Sequence, residues 1–153
     1  METCIVYDTK RENGATKTIV KWMVKALGEI EGVKFDVKRV NECRSFCYDL
    51  FIVGSPIYYE RPMRSVLEFL SSNKNEFKGK KVAIFIICLA KAMGNIAKGY
   101  IKKRYLKPLE VNVSDSLIKD GVFRGWLRKP DYSQREGCIK WIKEVIEEAR
   151  KVS

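Results

Sequence analysis

A chain of 153 residues with 30 Lys and Arg against 19 Asp and Glu, 46% hydrophobic residues and no histidine has the length of one domain and the apolar content for a sizeable core. The absent histidine excludes Ser-His-Asp and Cys-His nucleophiles, an imidazole base and any His-bearing zinc site, which leaves carboxylates, hydroxyls, thiols, lysines or a borrowed cofactor to do chemistry. Met1-Glu2-Thr3 opens no secretory signal, and the longest apolar run, Val82 to Ala90, is nine residues where a bilayer span needs about 20, so the chain reads as soluble and cytoplasmic.

Strand and helix patterns alternate along the chain. Thr3 to Tyr7 predicts a first strand, and Gly14 to Leu27 a helix whose apolar residues Ile19, Val20, Met23, Ala26 and Leu27 recur at helical spacing. Val33, Phe35 and Val37 alternate with charged residues as a second strand. Leu50 to Val53 is a third, stopped by a Gly54-Ser55-Pro56 corner, and a helix follows near Met63 to Leu70. Val82 to Ile87 is the fourth strand, with a helix near Asn95 to Tyr105. Leu109, Val111 and Val113 alternate as a fifth strand that can break and resume past Asp115. Ser133-Gln134-Arg135-Glu136 is a capping box opening a last helix that buries Ile139, Ile142, Val145, Ile146 and Ala149.

The strand patterns also predict an order. Strands covered on both faces read as continuous apolar runs, which fits the first, third and fourth, whereas the alternating second and fifth suit the edges. The resulting five-stranded parallel sheet of order 2-1-3-4-5 is doubly wound, and its ligand site is expected beyond the carboxyl ends of the strands, between the first and third. No repeat, linker or low-complexity segment suggests a second domain within residues 1–153.

Five cysteines, four of them within core segments (Cys4, Cys43, Cys88, Cys138), read as free thiols. Cys43 and Cys47 are spaced to face each other on a helical turn, but they lack the second pair a metal site requires. The positive charge concentrates in residues 51–130, which hold 16 basic and 6 acidic groups, including Lys98, Lys102, Lys103, Arg104, Lys107, Arg124, Arg128 and Lys129. Such a surface either keeps the protein in solution or attracts an acidic protein, anionic lipid or nucleic acid. Nucleic acid is disfavoured because the basic residues are not interleaved with aromatics in any RNA-binding pattern.

At the expected carboxyl ends, Asp8 to Lys17 forms a polar loop entering a helix. Thr9 and Thr16 offer hydroxyls, Gly14 permits close approach, and the helix N-terminus favours an anion. The plain alternative is a strand–helix turn capped by Asn13 or Thr16. Tyr58 and Tyr59 follow the third strand, and Cys88 to Gly94, with Lys91, the fourth. No acid–base pair stands beside these loops, and Asp8 and Glu12 read as loop or capping groups.

Ile5-Val6-Tyr7-Asp8-Thr9, with Gly14-Ala15-Thr16 opening the helix, resembles the flavodoxin phosphate loop, although the loop here is longer by about two residues. Asp49 to Tyr58, Glu68-Phe69-Leu70, Lys80 to Phe85, Tyr100 to Lys103 and Asp120 to Phe123 resemble the flavodoxin-domain branch that contains the quinone-linked protoporphyrinogen dehydrogenases. The stretch after Gly121 is shorter here than in those dehydrogenases. The resemblance implies a three-layer flavodoxin-like α/β sandwich that binds FMN. By position it implies that Thr9, Lys10, Asn13, Gly14, Ala15 and Thr16 surround the phosphate, Ser55, Pro56, Ile57 and Tyr58 line one side of the flavin ring, and Leu89, Ala90 and Lys91 approach the other.

Three functions are consistent with this reading: an electron shuttle docking on an acidic redox partner or resting on an anionic membrane, an FMN-dependent oxidoreductase acting on a quinone or tetrapyrrole precursor, and a flavin-free basic module for an anionic partner. A phosphoacceptor domain is excluded, because Gly54-Ser55 stands where its aspartate would be.

Overall fold

The computed structural model describes residues 1–89 and 98–151. Strands β1 (Glu2–Tyr7), β2 (Lys34–Arg39), β3 (Leu50–Tyr58), β5 (Lys81–Cys88) and β6 (Leu117–Arg124) form one sheet in the order β2-β1-β3-β5-β6. All four pairings along it are parallel. A two-residue strand, β4 (Arg61–Pro62), turns back antiparallel on the end of β3. The order of the parallel strands is the one their apolar patterns predicted, and β4 is an addition that two residues cannot signal.

The continuous apolar runs are continuous because both faces of the central strands are covered. Ile5 and Tyr7 of β1, with Ala83, Phe85 and Ile87 of β5, pack against α1 (Ala15–Gly28) and α5 (Gln134–Lys151). The alternating residues Cys4 and Val6, with Val82, Ile84, Ile86 and Cys88, pack on the other face. That face is covered by α2 (Arg64–Ser72), a 3-10 turn (Lys74–Phe77), and a helical stretch made of α3 (Lys98–Ile101), a π turn (Lys102–Leu106) and α4 (Lys107–Glu110). The architecture is a three-layer sandwich. No helix among the described residues is long and apolar enough to cross a membrane.

Four expectations need correction. Gly54-Ser55-Pro56 does not stop β3, which stays paired with β5 as far as Pro56–Ile87. Pairing with β1 ends at Gly54, so Pro56 is paired on one side only, where a strand tolerates proline. The alternation at Leu109, Val111 and Val113 is not a strand: α4 and a turn occupy it, and the fifth parallel strand is β6, which lies where the strand was expected to resume past Asp115. Leu109 and Val113 are four apart, so a helical turn buries both and exposes Val111 as readily as a strand would. Ser133 lies just before α5, but its hydroxyl donates to Asp131 Oδ1, so the capping box is not formed. Cys43 and Cys47 share no helical turn; they sit in an irregular segment, the first buried and the second exposed. The part of the expected helix over residues 95–97 lies outside the described residues.

Candidate functional site

The carboxyl ends of β1, β3, β5 and β6 open on a cleft of about 370 Å³, within the size range of small-molecule sites. Thr9, Lys10, Arg11, Gly14, Ala15 and Thr16 line it from the β1–α1 loop, and Pro56, Ile57, Tyr58 and Tyr59 from β3. Ile87, Cys88 and Leu89 contribute from β5, and Gly125, Trp126 and Leu127 from the segment after β6. Among the described lining residues there is no carboxylate.

The α1 end of the cleft is built for an anion. Gly14 is the N-cap, and no side chain caps it; the first turn carries no acidic residue. The first helical bond runs from Thr18 N–H to Gly14 O, which leaves the N–H groups of Ala15, Thr16 and Lys17 without intrahelical acceptors. Thr16 is 3% exposed, and its hydroxyl, which has no hydrogen-bond partner among the described residues, borders the cleft. A Cβ at Gly14 would stand 3.0 Å from Arg11 Cβ, so a side chain there would push the loop open.

Tyr58 holds the loop from the sheet side. Its Oη lies 3.2 Å from Thr9 Oγ1 and accepts the Lys10 N–H at 3.4 Å, while Lys10 Nζ sits 5.4 Å from the ring centroid. Thr9 Oγ1 also accepts the Arg11 N–H at 3.2 Å. The loop is thus ordered by Tyr58 and by its own Thr9–Arg11 contact. At its base Asp8 meets Arg39 and Ser65. Burial would push the Asp8 carboxyl up, but bonds from Ser65, Arg39 and the Thr9 N–H, with the Arg39 charge, hold it below the ordinary range.

The opposite wall is apolar and aromatic. Beyond β3 the chain reverses through Tyr59 and Glu60, whose φ values of 50° and 66° are left-handed, with neither residue a glycine. This reversal leaves Tyr59 93% exposed at the cleft edge. Glu60 is tied down from the other side by the hydroxyls of Tyr100 and Tyr105, at 2.6 and 2.5 Å, and these two phenols hold its carboxyl below the ordinary value. Trp126 stacks at a tilt on Trp22, 5.8 Å between centroids, and Leu127 beside it is exposed.

Thr9, Lys10, Gly14, Ala15, Thr16, Pro56, Ile57, Tyr58 and Leu89 come together at this cleft as the sequence suggested. Asn13 and Ser55 do not line it. Asn13 neither caps α1 nor reaches the cleft. Ser55 is fully buried, its Oγ accepting the Met63 N–H at 2.9 Å and donating to Pro56 O at 2.8 Å, so it fixes the path from β3 to α2. Ala90 and Lys91 lie outside the described residues. Arg11, Tyr59 and Cys88, which stood in the loops expected there without being given a place among the site residues, also line it; sequence reasoning missed Ile87 and the Gly125–Leu127 segment. The last followed from not locating the end of the fifth strand: β6 ends at Arg124, and the three residues after it sit at the carboxyl edge.

This arrangement of fold and site can be compared with known proteins. No curated protein matches the chain at a significant level. Among solved structures, a short-chain flavodoxin associated with a non-canonical PDU bacterial microcompartment is similar with a TM-score of 0.72 at 13% identity, the match covering 97% of this chain and 99% of that one. A Fusobacterium nucleatum flavodoxin bound to flavin mononucleotide is similar with a TM-score of 0.67 at 16% identity, covering 96% and 98%. The rubredoxin oxygen:oxidoreductase of Desulfovibrio gigas is similar with a TM-score of 0.67 at 14% identity over 98% of this chain, which spans only 36% of that protein. At such identities the likeness is one of fold. A family model described as the flavodoxin domain matches residues 4–150, nearly the full sequence that builds the sheet, its helices and the cleft, and the chain belongs to that family.

Proposed function

We propose that residues 1–153 form one flavodoxin-like domain that binds FMN in this cleft and works as an electron carrier in the cytoplasm. The observation that carries the reading is the uncapped N-terminus of α1, with the Thr16 hydroxyl beside it unpartnered among the described residues, opening directly on an apolar and aromatic slot. That pairing suits a phosphate joined to a flat ring: free N–H groups and the helix dipole favour a dianion, and Lys10 and Arg11 add positive charge. Ile57, Tyr58 and Tyr59 would hold the ring from one side, and Leu89, Trp126 and Leu127 from the other. When bound, FMN supplies the redox chemistry; this chain's residues orient it, exclude water from its apolar faces and set the charge around it.

The absence of a carboxylate among the described lining residues favours a shuttle over an enzyme with a proton-transferring substrate. Exposed Lys98, Lys103, Arg104, Lys107, Arg128 and Lys129 favour a partner with an acidic docking face, so electron transfer to that partner should slow steeply with salt. The finer kinship, to the quinone-linked protoporphyrinogen dehydrogenases, rests on the Gly54–Tyr58 segment, and oxidation of a tetrapyrrole precursor with a quinone acceptor would establish it.

The test is an absorption spectrum of the purified protein before and after FMN addition and desalting. A retained flavin spectrum that Gly14→Asp abolishes supports the reading. A colourless protein that takes up no FMN refutes it and makes the basic surface, with an anionic partner and no flavin, the function to pursue.

A further inference from the structure

We propose that Arg39 is a positioning residue that braces the lengthened β1–α1 loop in its phosphate-ready shape, so that the site selects a flavin bearing a phosphate over one without it; the inference rests on the FMN reading above. Arg39 is the last residue of the edge strand β2 and lies outside the cleft lining. All three of its side-chain nitrogens nevertheless point at the loop. Nε and Nη2 donate to Asp8 Oδ1 at 3.2 and 2.7 Å, Nη2 also donates to Thr9 O at 2.7 Å, and Nη1 to Glu12 Oε1 at 3.4 Å. The second Asp8 oxygen accepts the hydroxyl of Ser65, in the first turn of α2. Three elements thus meet at one carboxylate.

Arg39 is itself held in place. Its N–H donates to Glu42 Oε1 at 2.7 Å, and its guanidinium lies 5.3 Å from the centroid of the Tyr7 ring. A planar fork with donors at fixed angles can meet Asp8, Thr9 O and Glu12 at once; a lysine ammonium on its flexible stem cannot hold that arrangement.

The brace also answers a problem of charge. Asp8 and Glu12 belong to the loop that borders the cleft, and uncompensated negative charge on that loop would oppose a dianion. Arg39 occupies both carboxylates, and Lys17 Nζ takes the second Glu12 oxygen at 3.3 Å. With their charges engaged away from the cleft, the loop presents Thr9, Lys10, Gly14 and Thr16 to it.

The experiment compares dissociation constants of FMN and riboflavin for the apoprotein and for Arg39→Ala, Arg39→Lys, Asp8→Asn and Ser65→Ala, with thermal melts confirming that each variant is folded. Riboflavin has the ring without the phosphate, so a fault in the loop weakens FMN alone. Loss of charge-assisted bonds predicts FMN binding weaker by about tenfold or more in Arg39→Ala and Arg39→Lys, with riboflavin within about twofold. Asp8→Asn removes a negative charge, so simple charge balance predicts tighter FMN binding, whereas the brace predicts weaker. Ser65→Ala is the mildest change and should shift FMN in the same direction as Asp8→Asn. Wild-type-like behaviour of Arg39→Lys together with tighter FMN binding by Asp8→Asn overturns the brace in favour of bulk charge. Equal weakening of FMN and riboflavin overturns it in favour of a general structural role, as does an unchanged FMN-to-riboflavin ratio. A wild-type protein that binds neither compound overturns the flavin reading, and the brace's role with it.

Discussion

Replacing Gly121 by alanine tests how rigidly β6 is seated, and the structure sets the size of the effect. A Cβ there would stand 2.6 Å from both Cε2 and Nε1 of Trp141, well inside the ~3.5–4.0 Å of a normal carbon contact. The indole has little freedom to retreat. It is buried, its Nε1–H donates to Asp120 O at 2.8 Å, and Phe85 and Phe123 meet it edge-on at 6.0 and 5.6 Å. Overpacking of this kind costs about 1–3 kcal/mol, and losing the indole hydrogen bond about 1 more. Gly121 has no positive φ, so alanine also restricts the unfolded chain and returns about 0.4–1 kcal/mol. The net expectation is a loss of about 2–3 kcal/mol, or a Tm lower by about 4–12 °C for a chain of this length. Urea denaturation of Gly121→Ala, Trp141→Phe and the double variant gives the coupling directly. Since the smaller ring makes room, the double variant should be more stable than the single changes sum to, by about 1 kcal/mol or more. A neutral Gly121→Ala, or strict additivity, would refute the claim that the indole is fixed.

Two further outcomes are expected. Glu110 is 8% exposed, and burial, then its contact with Asp120, raises its carboxyl above the ordinary range despite Lys102 at 2.7 Å. Its stabilising contribution is therefore complete below the unfolded carboxyl value and is lost as pH rises through the raised one. Glu110→Gln should accordingly stabilise the protein at pH 7 relative to its effect at pH 4, as read from urea midpoints; an identical effect at both pH values would contradict this. Trp126 lines the cleft while Trp22, its neighbour, and Trp141 do not, so FMN should quench indole fluorescence and Trp126→Phe should remove much of that quenching. Undiminished quenching would place the ring elsewhere.

What the sequence disclosed follows from where the physics is local. Apolar runs at Cys4–Val6, Leu50–Val53 and Val82–Ile87 report burial on two faces, and the alternation at Phe35 and Val37 reports an edge, so sheet order was readable. Gly14-Ala15-Thr16 located the helix start as well, but not that it lacks a side-chain cap, since Asn13 and Thr16 both offered one. The fifth strand was legible only in part: its resumption past Asp115 matches β6, but Leu109, Val111 and Val113 fit two periods at once over five residues, and only packing decides between them. Where β6 ends carried no such pattern, and that hid Trp126 and Leu127, whose place in the cleft depends on it. The role of Arg39 was beyond reach in a different way: it lies 31 residues from Asp8 in the chain, and no local pattern announces the pairing.

The left-handed reversal at Tyr59 and Glu60 has a bearing on how this protein would respond to engineering. Two such residues cost of the order of 1–3 kcal/mol each, and Asn-Gly is the dipeptide that adopts this turn without strain. A thermostabilisation campaign would therefore select Asn-Gly at 59–60 early, and the melting temperature would reward it. The same exchange would sever the tether from Glu60 to Tyr100 and Tyr105 and strip the cleft edge of its aromatic ring. Robustness and ligand retention are set against each other at these two positions, and a variant library scored on both should show them moving in opposite directions.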